Sequence, residues 1–269
     1  FIWTNKIATF KKRLTSKGQS LFFKQNMKQY GIIGFPLSHS FSPNYFNQKF
    51  EDEKLDCCFE AFPIQAISEF PELLKKKNNL CGLSVTIPYK TTIIPYLDEL
   101  SKEAKSIGAI NCVHIIDGKT IGHNTDFIGF ANSLKSLLTN SMSSALVLGT
   151  GGASKAICYA LSVLNIPYTL VSRTAKGEIL DYESIDEKII KKHLLIINTT
   201  PLGMYPNIDE CPNIPYQFLT HNHLLFDLVY NPEETLFLKK GKQQNALVSN
   251  GLQMLIAQAE AAWKIWNQK

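Results

Sequence analysis

The chain has no apolar run approaching the roughly 18 residues that a membrane-spanning helix needs. It has no CxxC pair and no His/Cys spacing suited to a metal, although Cys57, Cys58, Cys81, Cys112, Cys158 and Cys211 are present. Several of these lie inside apolar, strand-like runs. They are expected to be reduced, buried thiols of a cytoplasmic protein, with no metal bound. There is no basic stripe interleaved with aromatics. The net charge is +5, but the lysines are scattered, with a good share between Lys6 and Lys28. This argues against nucleic acid as a partner and leaves at most a preference for anionic ligands. Internal repeats and low-complexity tracts are also missing, which leaves a globular chain.

The 269 residues are 45% apolar and 19% charged, enough for one large or two modest domains. Residues 1–26 differ from the rest: they are basic, acid-poor and rich in Lys, Ser and Thr, and Met27 is followed at once by a strand. A transit peptide or a translated upstream region has this composition. The segment is expected to be a non-native or disordered leader with no part in the fold.

From Met27 onward, strand-like and helix-like segments alternate. Tyr30 to Phe35 reads as a strand, followed by Ser38, Ser40 and Ser42-Pro43. Ser42 before a proline predicts a helix N-cap, with the helix running to about Phe50. Ser38 and Ser40 are then either ordinary turn serines or two hydroxyls aimed at one ligand. Cys57 to Phe62 and Leu80 to Thr86 read as strands, and Ile64 to Lys76 as a helix. Lys90 is expected to open a helix to about Leu97, the unfavourable end for a cation, so it is either solvated or held for chemistry. Ala109 to Ile116 and Thr120 to His123 form a hairpin around Asp117-Gly118. A helix follows to about Leu138, which Thr125 or Asp126 would cap. The order predicts an α/β unit with a mostly parallel sheet.

A second α/β unit follows the polar stretch Thr139 to Ser144. Its strands are Ala145–Leu148, Tyr168–Ser172, Leu194–Thr199, Leu224–Val229 and Ala246–Val248, and Leu252 to Trp266 is an apolar-periodic helix. This is the doubly wound, Rossmann-like order, in which ligands bind at the carboxyl ends of the strands. The first strand runs into Gly149-Thr150-Gly151-Gly152-Ala153, with Ser154 where a third glycine is usual. A strand, a glycine turn and a helix place free N–H groups and the positive end of a helix dipole where a pyrophosphate would sit. The second strand ends in Ser172-Arg173-Thr174, and no acid follows until Glu178. A carboxylate there would select NAD through a ribose hydroxyl. An arginine pairs instead with a 2′-phosphate, so the pattern points to NADP.

Seven ordered motifs now resemble the shikimate dehydrogenase family over Met27 to the C-terminus. They are Gly34-x-Pro36-x-Ser38-x-Ser40-x-Ser42-Pro43; Ser84-Val85-Thr86-Ile87-Pro88-Tyr89-Lys90; Gly108-Ala109-Ile110-Asn111; Gly122-His123-Asn124-Thr125-Asp126-x-x-Gly129; the glycine turn; Asn198 to Met204; and Asn250 to Ala259. The resemblance implies that Ser38 and Ser40 bind a substrate carboxylate near Tyr230, and that Thr86, Asn111, Asp126 and Gln258 bind ring hydroxyls. Lys90 and Asp126 would be the acid–base pair. Gly149, Thr150, Gly151, Gly152, Ala153, Ser172, Arg173, Thr174, Met204 and Gly251 would hold NADP, with Met204 and Gly251 near the nicotinamide. Departures from the family pattern are Ser84 for the usual Asn, Cys112 for Thr, and Ala175-Lys176-Gly177 where a second arginine is common.

The resemblance further implies reversible, NADP-dependent reduction of 3-dehydroshikimate to shikimate, on the route to chorismate and aromatic amino acids. Two domains are expected. Residues 27–125 with 245–269 would form the substrate-binding catalytic domain, and 126–244 the NADP-binding domain. The C-terminal helix would return to the first domain so that Gln258 reaches the substrate. A small-molecule substrate, no nucleic acid, no membrane, and a monomer or homodimer complete the expectation. The alternatives are a quinate/shikimate dehydrogenase of relaxed specificity and a non-catalytic NADPH-binding regulator.

Overall fold

The computed structural model describes residues 27–38 and 40–268. The leader expected at 1–26 lies outside the described residues. Two six-stranded sheets form two α/β lobes. The first sheet has the order β2-β1-β3-β5-β6-β4, with β1 Lys28–Gly34, β2 Cys57–Pro63, β3 Leu80–Val85, β4 Glu99–Leu100, β5 Cys112–Ile116 and β6 Lys119–His123. β1 runs parallel to β2 and β3, but β5 is antiparallel to both β3 and β6, so the sheet is mixed. The β5–β6 hairpin turns at Asp117 (φ 51°) and Gly118 (φ 75°), the paired positive φ that suits a tight right-twisted turn.

The second sheet comprises β7 Ala145–Leu148, β8 Tyr168–Ser172, β9 Leu180–Asp181, β10 Leu195–Asn198, β11 Leu224–Asp227 and β12 Leu247–Ser249. Its order is β12-β11-β10-β7-β8-β9 and every pair is parallel. β7, β10 and β11 are buried along their whole length, as strands covered by helices on both faces must be. The chain starts at β7 in the middle, winds outward one way through β8 and β9, and then the other way. The reversal between β7 and β10 makes the crevice where this fold binds ligands.

The helices are α1 Phe41–Asp52, α2 Phe70–Lys76, α3 Lys102–Ile107, α4 Asp126–Lys135, α5 Gly152–Val163, α6 Glu187–Lys192, α7 Leu236–Gln243 and α8 Leu252–Trp266. Three helix expectations need correction. α1 starts at Phe41 with Ser40, not Ser42, in the N-cap position, and the Ser40 side chain makes no capping bond. A proline is tolerated throughout a first turn, so Pro43 does not mark the first residue. The expected helix at Ile64 to Lys76 is a 3₁₀ turn, Ile67–Glu69, followed by the short α2. Between Lys90 and Leu97 there is no α-helix, only turns and a 3₁₀ segment, Ile94–Tyr96. The β-branched run Thr91-Thr92-Ile93-Ile94 and the missing N–H of Pro95 both work against one.

α8 joins the lobes. Met254 packs with Phe130 and Phe226 in the core of the second lobe. Ala262 and Trp266, on the same face further along, pack with Tyr30, Phe46 and Phe50 in the first. Glycines make the close approaches possible: a Cβ on Gly129 of α4 would lie 2.5 Å from the Met254 carbonyl oxygen, and one on Gly82 of β3 would lie 2.3 Å from the Trp266 ring. Trp266 Nε1 donates to the Val113 carbonyl at 3.0 Å. β12 hydrogen-bonds to β11 in the second sheet, so the return to the first lobe begins with α8 rather than at residue 245.

Candidate active site

Lys90 lies in the turn that follows β3. Its amine donates to Asp126 Oδ2 at 2.6 Å, and the two side chains are 18% and 7% exposed. That burial separates the pair from a solvated surface lysine and strengthens the attraction between its members. Asp126 is the first residue of α4. Its other oxygen accepts from Asn111 Nδ2 at 2.8 Å. The Asn111 amide also approaches Thr125 Oγ1 at 2.9 Å and Gln258 Oε1 at 3.2 Å. Asn111 Oδ1 accepts from the Thr125 N–H at 2.6 Å. Lys90, Asn111, Asp126 and Gln258 therefore form one polar cluster, drawn from the β3 turn, the start of β5, α4 and α8.

Neither Thr125 nor Asp126 caps α4 through its side chain. Thr125 holds the N-cap position without a capping bond, and its hydroxyl faces Asn111 and Gln258. Asn124 Oδ1 accepts from the Phe127 N–H at 3.4 Å instead. Both expected capping groups are thus committed to the cluster.

Thr86 follows β3 and crowds Gly34 at the end of β1, where a Cβ would come within 2.4 Å of its methyl group. Ser38 is exposed in the β1–α1 loop and Ser40 is half-buried. No hydrogen bond among the described residues joins these two serines to the Lys90 cluster. Tyr230 packs edge-on against Phe41, the neighbour of Ser40, with ring centroids 6.2 Å apart, and burial raises its phenol above the ordinary value.

The glycine turn forms the facing wall. Gly149 has φ +110°, and its N–H donates to the Val171 carbonyl at 2.8 Å. Thr150 and Gly151 are exposed, and no described atom lies within 4 Å of the position a Cβ on Gly151 would take. A Cβ on Gly152 would lie 3.3 Å from Lys90 Cβ, so the first residue of α5 abuts the lysine stem. Ala153 follows, half-buried, in the first turn of α5. Ser154 is buried and donates to the Gly151 carbonyl at 3.0 Å, a local bond that lets serine stand where a third glycine is usual. Lys155 donates to the Gly108 carbonyl at 3.4 Å and so ties α5 to the end of α3 in the first lobe.

Arg173 and Thr174 are exposed past β8, and Ser172 is half-buried. Arg173, Thr174, Tyr182, Leu202 and Cys211 line a cavity of about 610 Å³. Arg173 makes no ion pair among the described residues. Asp181 and Glu183 line the same cavity. Reading along the sequence missed them because β9 returns Asp181 beside Ser172 only through strand pairing. Met204 is 42% exposed. Gly251 is buried, and a Cβ there would collide with the Leu228 carbonyl oxygen at 2.1 Å, a packing reason for glycine that needs no ligand. Asp227 was also missed as a candidate. It is fully buried at the end of β11, and burial pushes its carboxyl up to about 6.

A doubly wound lobe with an open glycine turn, joined to the other lobe by a buried lysine–carboxylate pair, is the arrangement of a nucleotide-dependent oxidoreductase. A family model for the shikimate dehydrogenase substrate binding domain matches residues 32–113. A shikimate dehydrogenase (NADP(+)) of Clostridium beijerinckii is 40% identical over 90% of this chain and 93% of its own. The crystal structure of shikimate dehydrogenase from Aquifex aeolicus superposes with a TM-score of 0.82 at 36% identity, covering 91% of this chain and 94% of that one. The Thermus thermophilus enzyme, solved with NADP(H) and shikimate, gives a TM-score of 0.80 at 29% identity, covering 90% and 94%. The chain belongs to the shikimate dehydrogenase family.

Proposed function

We propose that this chain interconverts 3-dehydroshikimate and shikimate with NADP. The observation that carries the reading is the Lys90–Asp126 pair, 2.6 Å apart, with Gly152 of the glycine turn against the lysine stem. It sets a proton-handling group beside the wall that would hold the dinucleotide. The residues present fit that cofactor. Thr150 and Gly151 are open, the α5 N-terminus presents free N–H groups, and Arg173 is available for a 2′-phosphate. When bound, the nicotinamide supplies or accepts the hydride.

The chain's own work is orientation and one proton. Lys90 takes the hydroxyl proton as the alcohol is oxidised and returns it on reduction. Asp126 holds the ammonium in place and, with Asn111, Thr86 and Gln258, orients the ring hydroxyls. Ser38, Ser40 and Tyr230 receive the carboxylate. Gly149, Thr150, Gly151, Gly152 and Ala153 cradle the pyrophosphate. Ser172, Arg173 and Thr174 hold the adenosine end, and Met204 and Gly251 lie toward the nicotinamide. The substrate-binding lobe is residues 27–125 with α8, and the NADP-binding lobe extends through β12. A cytoplasmic setting and a monomeric or homodimeric state belong to the same reading.

One observation favours a second reading in which NAD also serves. Asp181 and Glu183 line the Arg173 cavity, where carboxylates suit a free ribose hydroxyl. The test is the near-ultraviolet absorbance of reduced nicotinamide, with shikimate or quinate offered against NADP or NAD. Shikimate-dependent reduction of NADP is expected to dominate. No turnover in any arm would leave the non-catalytic NADPH-binding regulator instead.

A further inference from the structure

Asp227 takes no part in the chemistry just described, yet its carboxylate gathers donors from separate segments. Asn198 Nδ2, at the end of β10, donates to Oδ1 at 2.9 Å. The Val229 N–H donates to the same oxygen at 3.0 Å. Thr235 Oγ1, at the N-cap of α7, donates to Oδ2 at 2.5 Å.

Two of the donors stand at the roots of the segments that carry Met204 and Tyr230, and the third packs against one of those segments. Asn198 Oδ1 accepts the Thr200 N–H at 3.0 Å and its hydroxyl at 2.6 Å, which shapes the turn leading to Met204. Gly203, just before Met204, leans on Thr235: a Cβ there would lie 3.4 Å from the threonine's own. Val229 immediately precedes Tyr230. The two segments are then stapled directly, because the Tyr205 N–H donates to the Asn231 carbonyl at 3.2 Å. Met204 and Tyr230 each sit one residue from that bond.

We propose that Asp227 is a positioning residue that holds Met204 and Tyr230 in fixed register, so that the cofactor-facing and substrate-facing sides of the cleft keep one geometry. This rests on the reading above for the roles of those two side chains. A plain core position would be served as well by an apolar residue. A buried carboxylate carries a desolvation cost that only its donors offset, and here Asn198 and Val229 belong to the segments being held while Thr235 packs against Gly203 of one of them.

Three variants test the proposal. Asp227→Asn keeps an acceptor for Asn198 and Val229, and its amide can donate to the Thr235 hydroxyl. Thr235→Val removes one donor with little change of shape, and Asp227→Ala removes the hub. The KM values for NADP and shikimate are expected to rise together by roughly tenfold in Asp227→Ala and Thr235→Val, with kcat moved less, since small misplacement is costly. Asp227→Asn should restore both to within roughly threefold of the parent. Amide exchange of the unliganded proteins gives a readout independent of turnover: residues 199–206 and 228–231 should lose protection together in Thr235→Val, while β1 and β7 do not. A rise in only one KM, loosening of only one segment, or equal effects of Asn and Ala at 227 would overturn the proposal. If the parent fails to oxidise shikimate with NADP, the functional reading falls, and independent loosening of the two segments would still refute the coupling.

Discussion

In the second lobe β7, β10 and β11 are apolar and buried from end to end, and the glycine turn offers backbone groups at the mouth of the sheet. In the first lobe the sheet is mixed. Its aromatic core joins Tyr30, Phe46, Phe50 and Phe59 to Trp263 and Trp266, from the far end of the chain. The second lobe builds its glycine turn from neighbours in sequence, Gly149 to Ala153. The cluster around Lys90 is built from side chains brought together across the fold. The lesson is that a backbone cradle tolerates local substitution, as Ser154 shows, whereas a side-chain cluster depends on every element that delivers a member.

Four measurements bear on that contrast. Lys90→Ala should lower kcat by roughly 10²–10⁴-fold, the usual share of general acid–base catalysis, with the KM for shikimate changed far less. Near-normal kcat would remove the lysine from the mechanism. Trp266→Ala should cost ~3–5 kcal/mol in urea unfolding, as deletion of a buried large side chain does. A loss below ~1 kcal/mol would mean that the first lobe does not need the returning helix.

Asp227 gives a pH signature. Burial raises its carboxyl to about 6 from 3.8, against the opposing effect of its donors. The folded state therefore holds that proton more tightly than the unfolded chain. The stabilisation is full below the unfolded value and is lost as pH rises through about 6. Relative to Asp227→Asn, the parent should lose on the order of 3 kcal/mol between pH ~4 and ~7. Parallel stability curves for the two proteins would count against a raised carboxyl. Finally, Arg173→Ala should raise the NADP KM by roughly 10–100-fold, the worth of a charged hydrogen-bonding pair, and leave the NAD KM almost unchanged. Equal effects would show that Asp181 and Glu183 govern the cavity as much as the arginine does.

Much of the fold was legible because its signals are local. Helix α8, strands β7 and β8, and the Asp117-Gly118 hairpin fall where apolar period and turn chemistry place them. The segment after Lys90 misled because a helix start was read from position alone, while the β-branched run and Pro95 decided otherwise. Ser42-Pro43 misled because proline fits any place in a first turn. Asp181 and Asp227 carry no spacing that marks them. One reaches its cavity by strand pairing, and the other gains its importance from donors on separate segments.

By itself the sequence determined the doubly wound lobe, its glycine turn and the arginine after β8, since each is written within a few residues of strand, turn or helix. Its ordered motifs also named the members of the polar cluster around Lys90. Only the tertiary structure decided that those members meet. Asn111 and Gln258 are 147 residues apart and touch at 3.2 Å because Gly129 and Gly82 let α8 press closely against both lobes. No local pattern encodes such an approach; it follows from which faces must be buried, and from where a missing Cβ leaves room.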